Sequence, residues 1–346
     1  MSILSGTSEF FGLDVGTTAL RVVQLKGVGP VKTLYKYGQL ATGGTITLSD
    51  APADRQKITQ LLGELIKQSG IVTKNVAVNI PSNRVFTTLI DLDRLPPSEL
   101  GKTINYQAES FIPTPIAKSK IDWALVGDSP QDPKKIEVLL SSVPTEVVEV
   151  RMDMLEATGL NVIAIEPDSI ALARSLIPDD ATGSQMVLDI GATITDLLIA
   201  MGGVPRLSRA IPTGTQTLIR TASQHLSIDG SQAEQFVFKF GLGQDKLEGR
   251  VYKAIIDVVD GLMNEVEKSI EFFQERYPSS RLERILVTGG ASTLPELPVY
   301  IANKTGITVE IGNAWRNVSI PPDRQNELAA VSNHFAVAAG LAQRHE

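Results

Sequence analysis

At 346 residues, with 42% hydrophobic and 21% charged residues, the chain has the makeup of an ordinary globular protein and the length of two or three domains. Its formal charge of -7 argues against a general nucleic-acid binder, and the absence of cysteine excludes disulfides, thiolate metal sites and cysteine nucleophiles. Met1 to Glu9 has neither a positive segment nor a long apolar core, and no apolar run approaches the ~18 residues of a membrane-spanning helix, so we expect a cytoplasmic protein that meets membranes only indirectly.

In chain order, an apolar run into Asp14-Val15-Gly16-Thr17-Thr18 and a second run from Leu20 to Leu25 read as strand, tight turn, strand. A polar, glycine-rich passage leads to Asp50. Ile58, Leu61, Leu62, Leu65 and Ile66 then recur at helical spacing within Ala53 to Ser69, with Gly70 as the helix end, and Val76, Val78 and Ile80 alternate as a strand. From Val85 to Gly159 the pattern predicts a strand to Ile90, a helix after Pro96-Pro97-Ser98 that Pro113 ends, strands at Ile121 to Val126 and Lys135 to Ser142, and a helix with Thr145 as N-cap and Gly159 at its end. This reads as an inserted α+β subdomain.

Asn161 to Ile165 is strand-like, and Glu166-Pro167-Asp168 opens a helix that Pro178 closes. Pro178 to Ser184 is the most loop-like stretch and the expected lobe boundary and hinge. A second hairpin follows, then an interrupted helical region from Thr213 to Gly243. A long amphipathic helix through Ile255, Leu262, Val266, Ile270 and Phe273 ends at Pro278. Arg284 to Val287 forms a strand into Thr288-Gly289-Gly290-Ala291-Ser292, followed by a helix to Lys304, a strand and an alanine-rich terminal helix.

The second hairpin, Leu188-Asp189-Ile190-Gly191-Ala192-Thr193, repeats the first, Leu13-Asp14-Val15-Gly16-Thr17-Thr18, which suggests two related lobes. A glycine turn exposes backbone N–H groups that can surround phosphate oxygens, with Gly16, Thr17, Thr18, Gly191, Ala192 and Thr193 as the candidates, and an aspartate at the strand end can hold a hydrated divalent cation, here at Asp14 and Asp189. Two such turns facing each other would grip one nucleotide. The plainer alternative, that each aspartate caps its own turn, leaves the duplication unexplained. Glu166 and Asp168 are the candidate catalytic carboxylates. Helix capping accounts for Asp168 simply, while a carboxylate here could also orient a water for phosphoryl hydrolysis. His225, His334 and His345 have no paired spacing, so neither a metal nor an acid–base role is assigned to them.

The motifs at Gly12 to Leu25, Val187 to Gly203 and Ile285 to Pro295 resemble, in this order, the superfamily of actin, heat-shock protein 70 and sugar kinases. Within it the chain is similar to the PilM family of actin-like type IV pilus assembly proteins, relatives of the division protein FtsA. The stretches that carry this are Ala77-Val78-Asn79-Ile80-Pro81, Gln107 to Pro113, Glu166 to Leu172 and Ala233-Glu234-Gln235-Phe236. The resemblance implies an α/β, actin-like (ribonuclease H-like) two-lobe ATPase fold with an FtsA-type insertion. The expected parts are a first core of 1–84 plus 160–180, the insertion at 85–159, a second core of 184–220 plus 283–346, and a helical subdomain at 221–282.

It also implies ATP and Mg2+ held between the lobes, with Gly289, Gly290, Ala291, Glu234 and Lys239 on the adenosine side and at most slow hydrolysis. Relatives often carry lysine where this chain has Val237, and Lys239 lies about 200° further round a helix. The implied partner is the cytoplasmic N-terminal peptide of PilN, bound between the first subdomain and the insertion, with other pilus assembly proteins and self-association left open. An FtsA-like division filament is one alternative, but Gly340 to Glu346 lacks the basic amphipathic helix such a protein would use. A small-molecule kinase is another, and it would need a catalytic base.

Overall fold

The computed structural model describes residues 9–344 except 28, 30, 45 and 50, and all of their side chains but those of 97 and 98. The expectations for Met1 to Ser8 and for His345 and Glu346 lie outside the described residues. The elements run β1 (Phe11–Val15), β2 (Ala19–Lys26), β3 (Lys32–Ala41), α1 (Pro52–Ser69), β4 (Asn75–Ile80), β5 (Phe86–Asp93), α2 (Pro97–Gln107), β6 (Ser119–Asp128), β7 (Lys135–Pro144), α3 (Thr145–Glu156), β8 (Asn161–Pro167) and α4 (Asp168–Leu176). They continue through β9 (Ser184–Ile190), β10 (Thr195–Met201), β11 (Val204–Ile211), α5 (Thr215–Leu226), α6 (Gly230–Phe240), α7 (Arg250–Arg276), β12 (Leu282–Thr288), α8 (Leu297–Thr305), β13 (Thr308–Ile311), β14 (Val318–Ser319), α9 (Gln325–Val331) and α10 (Ala336–Ala342).

The chain divides into two compact units: residues 1–81, 146–178 and 313–346 form the first, and 82–145 and 179–312 the second. Unit one is built on a six-stranded sheet in the order β14-β3-β2-β1-β4-β8. β1 pairs antiparallel with β2 and parallel with β4, so Asp14 at the end of β1 lies beside the end of β4. Ile58, Leu62 and Leu65 of α1 bury the stripe read from sequence, and Gly70 closes that helix in a left-handed conformation at φ 68°. The passage read as polar contains β3, paired with β2 along its length. Its hydrophobic alternation is weak because only Leu34 along the strand is fully buried.

Residues 313–346 pack in unit one, which corrects the expected grouping of 283–346 as one core. All seven residues of α10 are buried. A Cβ on Gly340 would run into the Ala171 carbonyl of α4, and one on Gly12 of β1 into the Ala338 carbonyl. Glycine at both places is what lets α10 lie against the sheet. Asn317 Nδ2 donates to the Arg174 and Ile177 carbonyls at 3.1 Å each, fixing the start of this segment to α4. The expected insertion of 85–159 is corrected at its end as well, because α3 from Glu146 onward belongs to unit one.

Unit two holds a five-stranded sheet, β11-β10-β9-β12-β13, and the three-stranded sheet β5-β7-β6 of the insertion. Sequence reading placed no element at β11, whose Arg206, Ser208 and Arg209 break up its apolar character. It forms a hairpin with β10 through Gly202 and Gly203, at φ 58° and 74°. The 27-residue α7 buries Val251, Ile255, Val259, Leu262, Val266 and Phe273, as the periodicity predicts.

Glu137 of β7, 1% exposed, accepts from Tyr277 Oη at 2.7 Å and Arg276 Nε at 2.8 Å, and Arg276 also reaches Asp91 of β5 at 3.0 Å. Arg206 of β11 stands 3.5 Å from the same carboxylate and donates to the Val126 carbonyl of β6. Burial and the Glu137 carboxylate push the Tyr277 hydroxyl above its ordinary pKa. One buried acid thereby ties the insertion's sheet to β11 and the end of α7. Among the described residues, no helix is long and apolar enough to cross a membrane.

Candidate nucleotide-binding turns

In unit two, Gly191 N–H closes the hairpin turn on the Ile194 carbonyl at 2.9 Å. The Gly191 and Ala192 carbonyls accept from Thr215 and Gln216 N–H at the start of α5, at 3.0 and 2.9 Å. A trans peptide points its N–H opposite to its carbonyl. With both carbonyls turned towards α5, the Ala192 and Thr193 N–H groups therefore point to the other side of the turn. Gly214 is required at the cap of α5, because a Cβ there would stand 2.5 Å from the Ala192 carbonyl oxygen.

The Gly289-Gly290 turn lies beside that hairpin. β12 runs parallel to β9 with Thr288 opposite Asp189, and Ala291 N–H reaches the Ile190 carbonyl at 3.3 Å. Gly289 has φ 80°, and a Cβ on it would collide with Asp189 Oδ1. The structure therefore brings Asp189, Gly191 to Thr193 and Gly289 to Ala291 together. Asp196 joins them, since it faces Asp189 across the β9–β10 ladder and is only 6% exposed.

Glu234 and Lys239 are exposed on α6, with Lys239 Nζ 5.5 Å from the Phe240 ring. Val237 on the opposite side of α6 is fully buried, so a lysine there would have its stem in the core.

In unit one the corresponding turn closes through Gly16 N–H to the Ala19 carbonyl at 3.1 Å. The Thr17 carbonyl accepts from the Thr42 and Thr47 hydroxyls, and the Thr18 carbonyl from Thr42 N–H. Asp14, 6% exposed, has Arg21 as its cross-strand partner, at 3.2 Å. Asn79 of β4 joins three groups: its Nδ2 donates to Asp14 Oδ1 at 3.2 Å and to Asp168 Oδ1 at 2.8 Å, and its Oδ1 accepts Val15 N–H at 2.8 Å. Burial raises the Asp14 pKa against the pull of Arg21 and then Arg151. Burial lowers the Arg151 pKa, and the charges of Asp168 and Asp14 oppose that.

Asp168 is the first residue of α4, follows the N-cap Pro167 and is 7% exposed. Glu166, 6% exposed, is engaged by Arg174 at 2.9 and 3.3 Å and by Arg344. Sequence reading did not single out Arg21, Arg151 or Asp196, and had Asn79 only within a resemblance stretch. A signal existed for two of them: Asp196 follows Asp189 at the spacing by which Arg21 follows Asp14, and Asn79 is the polar residue in an apolar strand. Of the histidines, His334 has its pKa lowered by burial and by Arg21.

The family model of the type IV pilus assembly protein PilM matches residues 12–346. The chain belongs to the PilM family. It is also similar to a solved PilM–PilN type IV pilus biogenesis complex, at 25% identity and a TM-score of 0.83 over 97% of this chain and 98% of that one. Likeness to EutJ, an ethanolamine utilization protein of Carboxydothermus hydrogenoformans, is 15% with a TM-score of 0.57 over 96% and 88% of the two chains. For MreB 5 of Spiroplasma citri bound to AMPPNP the values are 13% and 0.56 over 97% and 95%. The last two matches show the fold alone, which is that of the actin-like ATPases. As a PilM-family member, the chain takes its place in type IV pilus assembly.

Proposed function

We propose that this chain is an ATP-holding scaffold of the pilus assembly machinery that binds the N-terminal cytoplasmic peptide of PilN and is brought to the inner membrane by it. The observation that carries this is the whole-chain likeness to the PilM–PilN complex. The test is calorimetric titration of the intact chain with the N-terminal peptide of PilN from the same organism, with and without Mg-ATP. We expect saturable binding that differs between the two conditions, and no binding in either would remove the scaffold reading.

The nucleotide's phosphates are assigned to the Ala192 and Thr193 N–H groups and its adenosine side to Gly289, Gly290 and Ala291, all within unit two. Magnesium fits Asp189, whose cross-strand neighbour Asp196 supplies a second carboxylate. Among the described residues no three His, Asp or Glu side chains cluster, so water and phosphate oxygens would complete its shell. When bound, the ion screens the charge of the phosphates. Asp189→Asn is expected to weaken Mg-ATP binding by about 10–100-fold, read by fluorescent-nucleotide displacement, with the fold intact by circular dichroism. Unchanged affinity would show that Asp189 serves its turn alone.

Turnover is expected to be slow or absent. Glu166 is held by two arginines, and Asp168 already accepts from Asn79, so neither is poised as a strong base. Rapid phosphorylation of a sugar or an acid would reinstate the kinase alternative.

A further inference from the structure

We propose that in unit one Arg21 and Arg151 take the place of a divalent cation beside Asp14 and Asp168, making this half of the repeat a site that excludes metal and meets phosphate with guanidinium groups. The proposal rests on the nucleotide reading only for its use, since the exclusion of metal stands or falls by itself.

The two hairpins are superficially equivalent, yet their cross-strand partners differ in sign. Asp189 faces Asp196, two carboxylates that gain from a cation, whereas Asp14 faces Arg21, which already supplies one. Asn79 fixes Asp14 and Asp168 as a pair by donating to both, and Arg151 of α3 lies within the field of both. Two carboxylates and two guanidinium groups sum to zero, so a divalent ion placed here would leave a net charge of +2 in a buried setting.

Burial, and then the charge of Arg21, lower the His334 pKa below its ordinary value, and a histidine carries no negative charge that could offset an added cation. Arg21 Nε is buried with no hydrogen-bond partner, so the guanidinium retains donor capacity for an incoming acceptor oxygen, which a metal ion does not provide.

Arg151 contributes positive charge here, its field reaching both Asp14 and Asp168. An ion bound to Asp14 would have to share its oxygens with Arg21, 3.2 Å from Oδ2, and Asn79, 3.2 Å from Oδ1.

The test uses the full chain without nucleotide. Mn2+ binding is measured by electron paramagnetic resonance for the natural protein, Asp14→Asn and Asp189→Asn, and thermal melting is followed for Arg151→Met and Asp14→Asn/Arg151→Met in EDTA and in excess Mg2+. We expect Asp14→Asn to bind Mn2+ as the natural protein does. Arg151→Met should melt roughly 5–10 °C lower in EDTA, because it strands a buried carboxylate. Mg2+ should restore part of that loss, and the double variant, lacking the carboxylate, should not respond.

Loss of Mn2+ binding in Asp14→Asn, or an Arg151→Met protein as stable as the natural one in EDTA, would overturn the proposal. If Arg151→Met does not fold, the Mn2+ comparison decides alone. A failure of the nucleotide reading is seen separately, as absence of ATP binding to the natural protein.

Discussion

Glu137→Ala is expected to lower stability by about 3–5 kcal/mol, because it removes one partner from a buried charged network and leaves the others uncompensated. Arg276 Nε, Tyr277 Oη and Arg206 all depend on this carboxylate, which is 1% exposed. Glu137→Gln keeps the shape and an acceptor and should cost less. Tyr277→Phe, which deletes only one donor, should cost about 1–2 kcal/mol.

The effect should be local to the insertion before it is global, and the protein has a convenient reporter. Of its two tryptophans, Trp123 lies on β6 of the insertion and Trp315 in unit one. Urea denaturation followed by Trp123 fluorescence in a Trp315→Phe background should show the transition moving to lower urea in Glu137→Ala. An unshifted Trp123 transition would mean that Glu137 does not hold the insertion.

Gly340→Ala is expected to destabilise unit one by about 3 kcal/mol, the upper part of the range for overpacking, because the added carbon meets backbone and has no rotamer to escape into. The obstacle is the Ala171 carbonyl, and α4 is itself tied to this segment through Arg174, which donates to the Gly340 carbonyl at 2.8 Å. Gly12→Ala strikes α10 from the opposite side and should behave alike. The control is Gly261→Ala in α7, where nothing stands within 4 Å of the added carbon and helix propensity favours alanine by about 0.5–1 kcal/mol. Chemical denaturation followed by circular dichroism reads all three, and Trp315 emission reads the two unit-one variants separately. A Gly340→Ala protein as stable as the control would show that α10 can shift without loss.

The duplicated Asp-x-Gly turns and α7 were legible in the sequence because their signals are local: a fixed spacing in the first case, a 3.6-residue period in the second. β3 and β11 were not, since both carry mixed polar and apolar residues that blur the two-residue period. The unit-one cluster was only half legible. Asp14 announced itself as a carboxylate at an apolar strand end, but Arg21, Asn79, Arg151 and Asp168 meet it from β2, β4, α3 and α4, and only the sheet order brings those elements side by side.

The position of residues 313–346 was hidden for a related reason. An alanine-rich helix with one glycine says that something packs closely, but the partner, Gly12 at the opposite end of the chain, is named only by the fold.

That return of the C-terminal segment to β1 bears on how the protein is made. Unit two is completed by residue 312, whereas unit one needs three separated stretches, the last containing α10. At a synthesis rate of about 5–20 residues per second, the first hairpin, complete at Lys26, waits roughly 15 to 60 seconds for α10, which ends at Ala342. Of the two units, the one whose first strand emerges earlier is therefore the one whose last covering element emerges later, and in that interval only the growing chain itself can cover the apolar β1.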